Sequence, residues 1–113
     1  MHKISIFVQG INNISSFKEY LNDKVIPHSL NSTTIYRVQI TSFGPSVDPT
    51  PKNLSLIQFM FEIYFDSTED MNKFMVSTHG AELLDLLINN PFGEVGTFVG
   101  DEMYLIPEQI HRP

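Results

Sequence analysis

Between Ser55 and Phe65 the chain reads SLIQFMFEIYF, and this stretch limits the fold more tightly than any other. Ile57, Phe59, Phe61, Ile63 and Phe65 alternate with Gln58, Met60, Glu62 and Tyr64, the two-residue period of a strand whose faces meet different surroundings. The all-apolar face has to be covered by another layer. The mixed face, with Met60 and Tyr64 among Gln and Glu, needs an explanation of its own.

The rest of the chain supplies the other elements. KISIFVQ sets Ile4, Ile6 and Val8 against Lys3, Ser5 and Gln9, a half-buried strand, with Phe7 interrupting the polar side. Ser16 and Glu19 have the spacing of a capping box. Phe17, Tyr20, Leu21 and Val25 share one face of the helix it would open, and Pro27 predicts a stop near Ile26. Thr33–Phe43 is a β-branched run, closed by a loop that holds Pro45, Pro49 and Pro51. After Phe65, the residues Asp66, Ser67 and Thr68 carry capping chemistry for a helix with Met71, Phe74 and Met75. Gly80 marks a joint before a second helical stretch, AELLDLLINN, which Pro91 and Gly93 close. TFVGDEMYLI predicts a last strand. The order is βαββαβ, with one helix split in two: an α+β, ferredoxin-like arrangement in which helices cover one face of a four-stranded antiparallel sheet. The uncovered face carries Phe7, Met60 and Tyr64, too apolar for water, which predicts a second sheet against it and hence a homodimer.

At 113 residues the chain is a single domain, 1–113, with 42% apolar and 18% charged residues, ordinary values for a globular protein. Thirteen acids against seven bases give a net charge of −6, and no Lys/Arg cluster forms a phosphate-binding stripe. Nucleic acid and membrane are therefore not expected partners. Without cysteine there is no thiolate chemistry and no Cys-based metal site. The N-terminal MHKISIFVQGI is too polar for a signal peptide, no window reaches the length of a membrane span, and a cytoplasmic location is expected. Asn13, Asn31 and Asn53 match the glycosylation pattern, as chance matches in such a location. His2, His28, His79 and His111 lack metal-ligand spacing, and PFGEVGTFVGDE lacks the residues of a phosphate loop. No metal and no cofactor are expected.

The stretch FEIYFDSTEDMNKFMVSTHGAELLDLL resembles the EthD-like family of the dimeric α+β barrel superfamily: a strand ending in aromatic-Asp-Ser, a helix, then Gly before an Ala- and Leu-rich helix with an internal Asp, here Asp85. FKEYLNDKVIP resembles the family's aromatic-rich first helix, which ends in a His-x-Pro element. The resemblance covers most of the chain. It implies a dimeric barrel and a role in oxidation, isomerisation or breakdown of a small organic compound without a cofactor. Matching Tyr20 and Pro27 to the pattern puts Val25 where the family's histidine stands, with His28 three residues further on.

Candidate site residues follow. His28 would act as a general base or hydrogen-bond donor in a pocket between helix and sheet, or simply follow a helix end. Glu62 and Tyr64, with His28, are the candidate catalytic residues. Tyr20, Tyr36 and Arg37 are candidate ligand contacts, with Tyr104 as a further aromatic. Arg37 would meet an anionic group of the ligand, or else Arg37 and Glu62 would form an ion pair or hydrogen bonds across the dimer. The expected ligand is a small, mostly apolar organic molecule. The competing expectation is a non-catalytic dimer, a ligand-binding or stress-related accessory protein.

Overall fold

The structure, a computed structural model, describes residues 2–44 and 56–107. The proline loop with Pro45, Pro49 and Pro51, and His111, lie outside the described residues. Strand β1 (His2–Gln9) is followed by α1 (Ile14–Tyr20), a π-helical turn (Leu21–Val25) and α2 (Ile26–Leu30). Then come β2 (Arg37–Ser42), β3 (Ile57–Phe65), α3 (Thr68–Val76), α4 (Thr78–Ile88) and β4 (Glu94–Asp101). The four strands form one sheet in the order β2-β3-β1-β4, all neighbours antiparallel, the ferredoxin-like arrangement. No helix among the described residues is long and apolar enough to cross a membrane.

One face of the sheet and the helices share the core. Ile4, Ile6 and Val8 of β1 and Phe59, Phe61, Ile63 and Phe65 of β3 pack with Phe17, Leu21, Val25, Phe74, Leu83 and Leu87, all buried. Two aromatic pairs, Phe17 with Phe59 and Phe65 with Phe74, have ring centres 5.0 and 5.2 Å apart. These side chains lie between the helices and that face of the sheet.

Four local expectations are corrected. The first helix opens two residues before Ser16: Asn13 is the cap, its Oδ1 accepting from the N–H of Ser16. Pro27 does not stop the helix. The π-helical turn just before it widens the backbone, with the N–H of Ile26 bonding five residues back to Leu21, so the proline enters at the first turn of α2, where a missing N–H costs least. The strict alternation of β3 breaks at its start: Val8 faces Phe59 but Gln9 faces Ile57, a bulge that leaves Gln58 between them. The Gln58 carboxamide then accepts from the N–H of Ile11 at 2.7 Å, and Ile57 moves to the other face. Finally, β4 starts at Glu94 and ends at Asp101, because β1 offers partners only from Gln9 to His2.

The joint between α3 and α4 is Ser77, which ends one helix and caps the next through a 2.9 Å bond from the N–H of Gly80. Any side chain at Gly80 would place its Cβ 1.8 Å from the carbonyl oxygen of Phe74, so the tight corner requires glycine.

Candidate functional site

The face of the sheet turned away from the helices is built in rows. Register sets Arg37, Tyr64, Lys3 and Gly100 side by side, then Gln39, Glu62, Ser5 and Phe98, then Thr41, Met60, Phe7 and Gly96. The first two rows hold a connected polar cluster. Lys3 Nζ donates to Glu62 Oε2 at 2.6 Å, and Ser5 Oγ lies 3.4 Å from the same oxygen. The guanidinium of Arg37 sits over the Tyr64 ring, 4.1 Å from its centre, and the Tyr64 hydroxyl donates to Glu102 Oε1 at 3.2 Å. Glu102 is also 3.7 Å from both Lys3 and Arg37.

Burial makes this cluster more than a surface network. Glu62 is 3% exposed and Tyr64 2%, although both lie on the face turned away from the described helices. The hydrogen bond to Glu62 holds the Lys3 ammonium to a higher pKa than an ordinary lysine, against the opposing effect of its own burial. Burial pushes the Tyr64 phenol up as well, despite the nearby Arg37. At neutral pH the cluster therefore presents a charged ammonium and an intact phenol.

Next to it the third row opens into a hollow of about 440 Å³ lined by Phe7, Gln9, Ile57, Glu94, Val95, Gly96 and Phe98. Phe7 and Phe98 meet edge to face, ring centres 5.7 Å apart, and the absent side chain of Gly96 leaves the space beside them. Gln9 Nε2 donates to Glu94 Oε2 at 3.2 Å on the rim. The lining is mostly apolar with few polar groups, the usual character of a small-molecule site.

Of the residues expected from sequence, the structure brings together Glu62, Tyr64 and Arg37. The expected Arg37–Glu62 pair is not formed: Lys3 takes Glu62, and Arg37 takes Tyr64 and Glu102. Tyr36 stands at the entry to β2, 60% exposed. His28 and Tyr20 lie in the helical layer, with the sheet between them and Glu62. Tyr20 donates to the carbonyl of Leu86 at 2.6 Å, and burial raises its pKa. His28 lies on α2, stacked on His79 with ring centres 4.0 Å apart and planes 6° from parallel. Its Nε2 is 3.0 Å from the His79 carbonyl, so that nitrogen carries the proton. Nε2 of His79 is buried without a hydrogen-bond partner among the described residues. Both Tyr20 and His28 thus pin the first helical segment to α4. Among the described residues no three His, Cys, Asp or Glu side chains gather as they would to hold a metal ion.

Lys3, Ser5 and Glu102 were not anticipated as members of the cluster. The polar positions of β1 are visible in sequence, and the strand order puts β1 beside β3, so Lys3 falls opposite Tyr64. Ile57 is different: its place in the hollow depends on a bulge that alternation conceals.

Comparison with solved structures gives likenesses of fold. An EthD (ethyl tert-butyl ether degradation) family protein from Bacillus halodurans superposes with a TM-score of 0.76 at 19% identity, covering 91% of this chain and 99% of that one. A cofactor-independent oxygenase from Streptomyces nogalater gives 0.63 at 5% identity, over 94% and 95% of the two chains. A dimeric ferredoxin-like protein of unknown function from Jannaschia gives 0.56 at 7% identity, over 90% and 100%. The resemblance to the EthD-like group thus has its counterpart in the fold. No protein-family model matches the sequence, and no curated protein matches it.

Proposed function

We propose that this chain is an EthD-like small-molecule-binding protein that works as a homodimer, its ligand held between two sheets packed open face to open face. The observation that carries this is the 440 Å³ apolar hollow beside a fixed polar cluster on the face turned away from the described helices. The apolar body of the ligand lies against Phe7 and Phe98, and its polar end meets the row of Ser5 and Glu62. In this reading the conversion needs no cofactor: the Glu62 carboxylate accepts a proton, and the Tyr64 phenol donates a hydrogen bond to an oxygen gaining charge. Arg37 fixes the Tyr64 ring. The dimeric state of the Jannaschia protein and the activity of the Streptomyces oxygenase support the reading by likeness of fold. His28 and Tyr20 serve the helix seam.

One observation favours a second, non-catalytic reading: Glu62 and Tyr64 already have partners inside the chain, in Lys3, Ser5 and Glu102. The deciding measurement is native mass spectrometry of the untagged protein. A dimer carrying a reproducible added mass, lost when Gly96→Leu fills the hollow, is expected. A dimer without added mass moves the weight to the accessory-protein reading, and a monomer removes the chamber altogether.

A further inference from the structure

Beyond β4 the chain leaves the sheet as Glu102-Met103-Tyr104-Leu105-Ile106, and four consecutive apolar residues there are left in solvent. Met103, Tyr104 and Leu105 are 82, 78 and 70% exposed. The base of this arm is not loose. Glu102 is tied to Tyr64, Lys3 and Arg37, which fixes the arm's departure on the open face. The hollow also lies on that face, at the other end of the sheet: β4 enters beside Gln9 at Glu94, where the hollow is, and leaves beside His2 at Asp101, where the arm begins.

We propose that each arm, Met103–Ile106, closes the mouth of the hollow on the other copy of the chain, so that the ligand site is complete only in the dimer. This rests on the dimeric reading above and adds which segment walls the site and how the copies are turned. Seven strand steps of about 3.3 Å set the two ends of β4 roughly 23 Å apart. A two-fold axis running between the sheets and across the strands carries the Asp101 end of one copy over the Glu94 end of the other. An axis parallel to the strands would keep both arms at the same end of the sheets, each over the β2 edge of the other copy, and leave both hollows open. Packed sheets lie about 10 Å apart, and five extended residues reach up to about 17 Å, enough to cross that gap and lie along the facing hollow. Chemistry matches at both ends. Four uncharged, mostly apolar side chains meet Phe7, Phe98, Val95 and Ile57, and one exposed apolar segment and one exposed apolar hollow are covered by a single contact made twice.

The absence of cysteine makes the test clean. In the double variant Gly96→Cys, Leu105→Cys, mild oxidation of the native protein should give an interchain disulfide, seen as a covalent dimer on a non-reducing gel. Peptide mapping should show residue 96 of one copy joined to residue 105 of the other. Gly96 tolerates the new side chain, whose nearest neighbour is Phe98 at 3.7 Å, and circular dichroism checks the fold. A native dimer that forms only a 105–105 bond, an intrachain bond or none overturns the arm's placement while leaving the dimer standing. A monomer in native mass spectrometry overturns both.

Discussion

At the scale of single residues, the Lys3–Glu62 contact is the most consequential in the molecule. Among the described residues, this nearly buried carboxylate is held by one short bond to an ammonium and has no second cation within reach, because Arg37 is engaged elsewhere. Lys3→Met should therefore cost about 2 kcal/mol, since it leaves a desolvated charge unpaired. The double variant Lys3→Met, Glu62→Leu should recover most of that loss, and urea midpoints of the three proteins decide it. A double variant no more stable than Lys3→Met would mean that the pair is worth more than an apolar replacement. The same residues set the alkaline limit. Lys3 and Tyr64 hold their protons more tightly folded than unfolded, above the ordinary 10.5 and 10.0. Their contribution is fully present below the unfolded values and is lost as pH rises through the folded ones. Thermal stability should fall as pH rises above the unfolded values, and Tyr64→Phe should flatten part of that fall. An unchanged slope in a series of melting curves would show that the phenol titrates alike in both states.

The elements show where sequence reasoning sees and where it does not. Alternation in Ile57–Phe65 and in Lys3–Gln9 was enough for the strands, their faces and, with the order of elements, the sheet. The same alternation put Glu62 and Tyr64 on one face, and the register of β2 brings Arg37 beside Tyr64. What escaped depends on relations between residues that local pattern does not encode. Ser16 and Glu19 satisfy the capping-box spacing, yet Asn13 reaches the Ser16 N–H first and starts the helix earlier. Pro27 forbids a regular helix but not one that takes a π-turn ahead of it. His28 consequently stays on the helix, one turn past Val25, and faces His79 instead of a pocket. The cap assignment makes a direct prediction. Asn13→Ala should destabilise by about 1 kcal/mol, whereas Ser16→Ala should lie within about 0.5 kcal/mol of the parent. Equal losses in denaturant titrations would return the cap to the residue the spacing first indicated.

For the whole molecule, the open face is the feature that a single chain leaves unresolved. Its charges are balanced locally, Lys3 against Glu62 and Arg37 against Glu102, so two such faces can approach without opposing fields despite the net charge of −6 on each chain. Its apolar part is not covered: Phe98 is 61% exposed and borders the hollow. Phe98→Glu separates folding from association, since the residue contributes little to a core it does not enter. The variant should keep the circular dichroism of the parent yet run as a monomer in sedimentation, because two carboxylates brought into the apolar interface would have no partners. The parent's melting temperature should rise with protein concentration, as it must when folded chains are held by each other, and the variant's should not. If the variant remains a dimer with the same concentration dependence, the contact lies on another surface. The hollow would then open to solvent rather than onto a second sheet, and the ligand chamber would have to be built by one chain alone.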